Sequence, residues 1–227
     1  TAALLRRALE KEGIRVRTKT KAVGYEKKKD GLHVRLEPAE GGEGEEVVVD
    51  KVLVAVGRKP RTEGLGLEKA GVKVDERGFI RVNARMETSV PGVYAIGDAA
   101  RPPLLAHKAM REGLIAAENA AGKESAVGYQ VPSVVYTSPE GAGGGLTGGG
   151  AEGMVKVVGD EETDLLLGVF IVGPQAGELI AEAALALEMG ATLTDLALTI
   201  HPHPTLSESL MEAAEAFHKQ AIHILNR

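Results

Sequence analysis

Apolar residues recur at helical spacing over 1–12, where Leu4, Leu5, Ala8 and Leu9 share one face and Gly13 breaks the pattern. Ile14-Arg15-Val16 then reads as a short strand, and an α-to-β step of this kind is half of a Rossmann-type unit. Further strands are predicted over 20–27, 31–36 and 46–56. The last contains VVVDKVLVAV, whose near-continuous apolar character predicts burial on both faces, as in α/β proteins. The acidic, Gly-Gly-containing stretch at 38–45 reads as an exposed hairpin connection.

Residues 57–90 are loop-rich, with a hairpin predicted around Glu76-Arg77-Gly78. Val93-Tyr94-Ala95-Ile96 reads as a short core strand ended by Gly97-Asp98, and a helix is predicted over 104–121. Residues 129–137 open a different region. In GAGGGLTGGGAEG, residues 141–153, eight of thirteen positions are Gly, which packs nothing and costs backbone entropy. The stretch reads as an introduced linker, with natural low complexity as the alternative. Strands at 154–159 and 165–172 follow, then a helix at 175–189 with Leu179, Ala183 and Ala186 on its packed side. Thr192 and Asp195 are spaced as a capping box for a short helix at 193–198. A final helix over 206–225 would bury Leu206, Leu210, Ala213, Phe217 and Ile224.

Composition narrows the function. With 44 % apolar and 26 % charged residues among 227, a buried core is within reach. Cysteine is absent, which excludes disulfides, thiolate metal sites and cysteine chemistry within this chain. A net charge of −5 argues against nucleic acid or an anionic membrane as partner, and no apolar run reaches the length of a membrane span. The chain opens inside a helix, with no initiator Met, signal peptide or transit peptide, and a cytoplasmic location is expected. Three Asn, three Gln and no Cys lean toward a heat-adapted source. Charge is uneven: residues 1–30 carry ten Lys or Arg against four acids, whereas 37–50 carry six acids and no base. These read as solvated faces.

Three stretches can carry chemistry. Asp98 follows a buried strand that runs out at Gly97, where open α/β sheets bind ligands; it either accepts hydrogen bonds from a polyol or satisfies its own turn. The helix opening after Pro103 offers free amides and a positive dipole end, although most helix starts meet only water or a cap. His107 and Lys108, near that end, read as structural or ligand-adjacent. In HPHPTLSE, residues 201–208, two prolines hold the backbone rigid, so His203 is positioned for proton transfer. Glu208 either orients the other ring nitrogen of His203 or closes a capping box with Thr205. Two histidines at this spacing without a nearby third ligand do not suggest zinc, and no metal site is expected. No G-x-G-x-x-G opens a helix after a strand, and no P-loop, HExxH or Gly-x-Ser-x-Gly occurs.

VLVAVGRKP at 52–60, TSVPGVYAIGD at 88–98 and IHPHPTLSE at 200–208 resemble motifs of the pyridine nucleotide–disulfide oxidoreductases, as do LLAHKAMREG and VPSVVYTSPE between them. Within that family the likeness is to the members that oxidise dihydrolipoyl groups. The resemblance implies FAD and NAD as cofactors. Asp98 would bond the ribityl chain of FAD, Leu105 and Ala106 would face the pyrimidine side of its ring through their amides, and Gly97 and Gly57 would complete the cofactor contacts. His203 would be the acid–base, oriented by Glu208, serving electron flow from a dithiol through a disulfide and flavin to NAD⁺. The implied fold is α/β and α+β. Residues 1–57 would be the second half of a nicotinamide-binding domain, 58–128 the returning part of an FAD-binding domain, and 129–227 an interface domain for a homodimer partner. An acyltransferase core of a 2-oxo acid dehydrogenase complex is a further implied partner.

The family's first flavin phosphate motif, redox cysteine pair and nicotinamide phosphate motif are absent from 1–227. The lone chain is therefore expected to be colourless and inactive. A trimmed, non-catalytic dimerisation module and a glutathione or mercuric reductase are the alternatives.

Overall fold

The computed structural model describes residues 2–128, 130–137 and 153–224. The Gly-rich stretch expected at 141–153 falls outside them, save Gly153. The chain divides into two compact units, one spanning Arg6–Gly57 and the other holding the residues from Arg58 onward.

The smaller unit contains most of helix α1 (Ala2–Lys11) and an antiparallel sheet in the order β1 (Thr20–Lys28), β2 (Gly31–Pro38), β3 (Glu45–Val49). Alternation in β2 sets the register: Val34 is buried and pairs with Tyr25 on one side and Val47 on the other. The acidic connection expected at 38–45 is the β2–β3 turn.

Two expectations fail here. Residues 14–16 form no ladder, and the strand predicted over 46–56 stops at Val49. Beyond it Leu53 is 91 % exposed and Val56 94 % exposed, so the run is not buried on both faces. The reason is pairing. An all-apolar strand needs a neighbour on each edge and a layer on each face, and β3 finds only β2 among the described residues. The sheets formed are antiparallel, so the Rossmann-like part is represented without its parallel ladder.

In the larger unit, residues 58–128 gather around Val72, Ile80, Ala95 and Ala100. The predicted hairpin is present: Asp75 Oδ1 accepts from the amides of Arg77 and Phe79, and Val74 bridges Ile80. Residues 93–96 pair irregularly with 86–88 and bury Ala95 alone, so the expected core strand is one-sided. A 3₁₀ turn (Gly97–Ala99) follows; helix α2 (Leu67–Ala70) precedes it, and α3 (Ala106–Ala120) comes after.

From Met154 the chain forms an antiparallel pair, β4 (Met154–Gly159) and β5 (Leu166–Val172), then α4 (Ala176–Met189), α5 (Leu193–Leu198) and α6 (Glu208–Phe217). One core joins Ile171, Ala176, Ala183 and Leu210; a second joins Leu166, Leu193, Leu196 and Ala214. The Thr192–Asp195 capping box forms as predicted. Helix α6 is shorter than expected: it ends at Phe217, ahead of Lys219 at φ 60°, and Ile224 is 54 % exposed instead of continuing the stripe. No helix among the described residues is long and apolar enough to cross a membrane.

Candidate functional site

His203 stands in the Pro-rich segment ahead of α6, joined to Pro204 by a cis peptide bond, with its ring 76 % exposed. Glu208 opens α6. Its Oε1 accepts from His203 Nδ1 at 2.8 Å, and its Oε2 accepts from the Thr205 amide at 2.7 Å. Each oxygen thus meets one of the two partners open in the sequence, but the capping box is not completed: α6 has Ser207 as its N-cap, without a side-chain cap bond. The Thr205 amide, and after it the His203 ring, hold the Glu208 carboxyl below the usual carboxylate range. A neutral ring bonded this way keeps its proton on Nδ1 and turns the Nε2 lone pair to solvent. Thr205 Oγ1 donates to Pro202 O at 2.6 Å, tightening the same turn.

His201, two residues earlier, faces elsewhere. Its ring is 4 % exposed, with Nδ1 on Thr199 O at 2.8 Å and Nε2 on Glu182 Oε1 of α4 at 2.7 Å. It ties the segment to α4 and leaves His203 outward. Among the described residues no group of three or more His, Cys, Asp or Glu could hold a metal ion.

The second cluster lies at 97–112. Gly97 has φ 63°, and a Cβ there would meet Ala109 Cβ at 2.9 Å, so glycine lets the turn touch α3. Asp98 is exposed, and its carboxylate has no hydrogen-bond partner among the described residues. Leu105 is the N-cap of α3 and supplies no side-chain cap. Its amide donates to Pro103 O at 3.1 Å, and the first intrahelical bond is Ala109 N–H to Leu105 O at 3.1 Å. The amides of Ala106, His107 and Lys108 thus remain unclaimed among the described residues. An exposed carboxylate that can accept from hydroxyls, with three unclaimed amides at the following helix N-terminus that can donate to a carbonyl or an anion, suits a polar ligand carrying both kinds of group.

Sequence reasoning missed Glu112. Its side chain is fully buried and accepts from Gly97 N–H at 2.7 Å, Arg101 Nε at 2.9 Å and Lys108 Nζ at 3.1 Å. The Lys108–Glu112 spacing was the available signal, but it is also the spacing of an ordinary surface ion pair. His107 Nε2 lies 2.8 Å from Pro132 O, a structural contact. Gly57 closes the smaller unit, exposed at φ 124° with open space around it. A cavity of about 460 Å³ lined by Val131, Val134, Phe170 and Ile180 holds none of the candidate residues.

A sequence model described as pyridine nucleotide-disulphide oxidoreductase matches residues 1–113, and the dimerisation-domain model of the same name matches residues 144–214. The dihydrolipoyl dehydrogenase of Thermus scotoductus is 75 % identical over 100 % of this chain and 55 % of its own length. The mitochondrial dihydrolipoyl dehydrogenase of Pisum sativum is 44 % identical over 96 % of this chain and 49 % of its own. That of Haloferax volcanii is 45 % identical over 100 % and 53 %. The chain spans about half the length of these curated relatives. Among solved structures, LpdA of Mycobacterium tuberculosis superimposes with a TM-score of 0.78 at 26 % identity, covering 95 % of this chain and 52 % of that one. The flavoprotein disulfide reductase RclA of Escherichia coli matches with a TM-score of 0.77 at 21 % identity over 92 % and 54 %, a likeness of fold.

Proposed function

The chain belongs to the pyridine nucleotide–disulphide oxidoreductase family, and on that premise we propose that it is the C-terminal part of an FAD-dependent dihydrolipoyl dehydrogenase. The whole enzyme would oxidise dihydrolipoyl groups with NAD⁺ through a redox disulfide and flavin. In it, 1–57 belongs to the nicotinamide-binding domain, 58–128 to the FAD-binding domain and 129–227 to the interface domain.

The observation that carries this reading is the His203–Glu208 pair. An outward Nε2 lone pair, fixed by a carboxylate on Nδ1, accepts a proton from a thiol. The Glu208 charge then stabilises the imidazolium that results. The partly buried carboxylate cannot rotate away, because its second oxygen is held by the Thr205 amide. FAD, when bound, supplies the two-electron step between disulfide and nicotinamide. Asp98 would accept from a ribityl hydroxyl, and the unclaimed Ala106 amide would face the pyrimidine edge. Leu105 would contribute as the residue that sets the helix start, since its amide is already taken. Among the candidate residues, Gly57 would be the one on the nicotinamide side, exposed with open space around it.

A homodimer partner through 129–227 is part of the proposal. The dimerisation-domain match and the exposed Leu185, Met189, Leu198 and Ile200 support it. An acyltransferase core as further partner rests on the family resemblance alone.

The test uses the flavoenzyme that carries this chain. It is expected to reduce NAD⁺ with dihydrolipoamide, and His203→Gln is expected to abolish turnover with flavin still bound. Preference for oxidised glutathione with NADPH would overturn the lipoyl assignment, and unchanged turnover in His203→Gln would remove the base from His203.

A further inference from the structure

Lys108 lies in the first turn of α3, where the helix dipole opposes a positive charge, yet its side chain is only 2 % exposed. Its Nζ donates to Arg101 O at 2.7 Å and to Glu112 Oε2 at 3.1 Å. Glu112 Oε2 also accepts from the Gly97 amide, while Oε1 accepts from Arg101 Nε. The pair therefore grips both ends of a five-residue segment, Gly97 and Arg101, with Asp98 between them. Burial alone would push the Glu112 carboxyl up; the Gly97 amide and the two cations outweigh it and hold the group charged. Buried ion pairs are often no more stabilising than apolar side chains of equal volume, so stability is a poor reason for this one. What it does fix is geometry.

We propose that Glu112, acting with Lys108, is a positioning residue of the flavin site: it sets the Asp98 turn against the α3 N-terminus without touching the cofactor itself. The inference rests on the flavin reading above. It deepens that reading by separating residues that contact FAD from those that hold the contacts in place.

The test is titration of the apo-flavoenzyme with FAD, read by flavin fluorescence and by the visible band of the bound flavin. Lys108→Met/Glu112→Leu fills the space without charge and leaves Gly97 unheld. It is expected to raise the FAD dissociation constant at least roughly tenfold and to shift the flavin band, with far-UV circular dichroism unchanged. Lys108→Met/Glu112→Gln keeps an acceptor for the Gly97 amide and is expected to return to within about threefold of the wild type. Wild-type affinity and an unshifted band in the apolar double variant would overturn the inference. Should that variant not fold, Glu112→Asp alone decides by the same measurements: it keeps the charge beside Lys108 but draws the carboxylate back by one methylene from the Gly97 amide. Weaker FAD binding and a shifted band are then expected, and wild-type affinity with an unshifted band would overturn the inference. A wild-type enzyme that takes up no FAD would instead sink the flavin reading, and this inference with it.

Discussion

Gly159→Ala sets two effects of opposite sign against each other. Gly159 ends β4 opposite Leu166, at a register shift in the β4–β5 pair, and its φ is not positive, so alanine meets no backbone strain. A Cβ there would run into Leu193 Cδ1 and lie 3.3 Å from Leu193 Cγ and Phe217 Cζ. Leu193 is fully buried among Leu166, Leu196 and Ala214 and has nowhere to retreat. Overpacking of this kind costs about 1–3 kcal/mol. The narrower unfolded ensemble of alanine returns about 0.4–1 kcal/mol. At the midpoints of these ranges the net is destabilisation by about 1.3 kcal/mol, a melting point lower by about 3–5 °C for a chain of this size. Gly177→Ala is the control. At the start of α4 its nearest neighbours are Val134 Cγ1 at 3.6 Å and Cγ2 at 3.8 Å, ordinary contact distances. There helix propensity acts unopposed, and about 0.5 kcal/mol of stabilisation is expected. Urea unfolding followed by circular dichroism measures both. A Gly159→Ala chain no less stable than the wild type, or two variants that move in the same direction, would refute the packing account.

Two other outcomes are expected. Glu208→Gln must turn its amide nitrogen toward either the Thr205 amide or His203 Nδ1, so the flavoenzyme should lose roughly 10- to 100-fold in kcat at unchanged flavin content; a variant with full kcat would reduce Glu208 to a brace on the Thr205 amide. In the smaller unit, His33 Nδ1 lies 2.6 Å from Glu46 Oε1 and Nε2 lies 2.9 Å from Asp30 Oδ1, with Lys28 Nζ 3.3 Å from Nδ1. Glu46 first and Asp30 second raise the His33 pKa above its ordinary 6.5, while His33 lowers both carboxyls from 4.5 and 3.8. The histidine contribution is thus complete below pH 6.5 and lost as pH rises through the folded-state value; the carboxylate contributions are lost in acid. Amide exchange in the β1–β2 hairpin should be slowest, after correction for intrinsic rates, between about pH 4.5 and 6.5. His33→Gln should flatten that maximum, and a flat profile in the wild type would remove the linkage.

Local signals carried much of the fold. The helix at 175–189 appears as Ala176–Met189, and Thr192 with Asp195 forms the box its spacing implied, because both depend on residues within a few positions. The run at 46–56 was misread because apolar character reports what a strand requires, whereas burial depends on partners distant in sequence. At the dyad, Thr205 and His203 appeared to compete for Glu208 on paper, but a carboxylate has two acceptor oxygens and serves both. Glu112 was illegible for a different reason: a Lys–Glu pair four residues apart looks the same in sequence on a wet face and in a sealed core. Only the turn that folds back onto α3 tells them apart.

The bare 51–56 run has a practical consequence for work on this chain by itself. A short, β-prone, nearly uncharged run held open to solvent is a template for intermolecular strand pairing. The isolated polypeptide would then self-associate by two routes, through the region matched by the dimerisation-domain model and through 52–56. Sedimentation would register the two as one. A charge placed at Leu53, 91 % exposed, should suppress the second route and leave the first measurable.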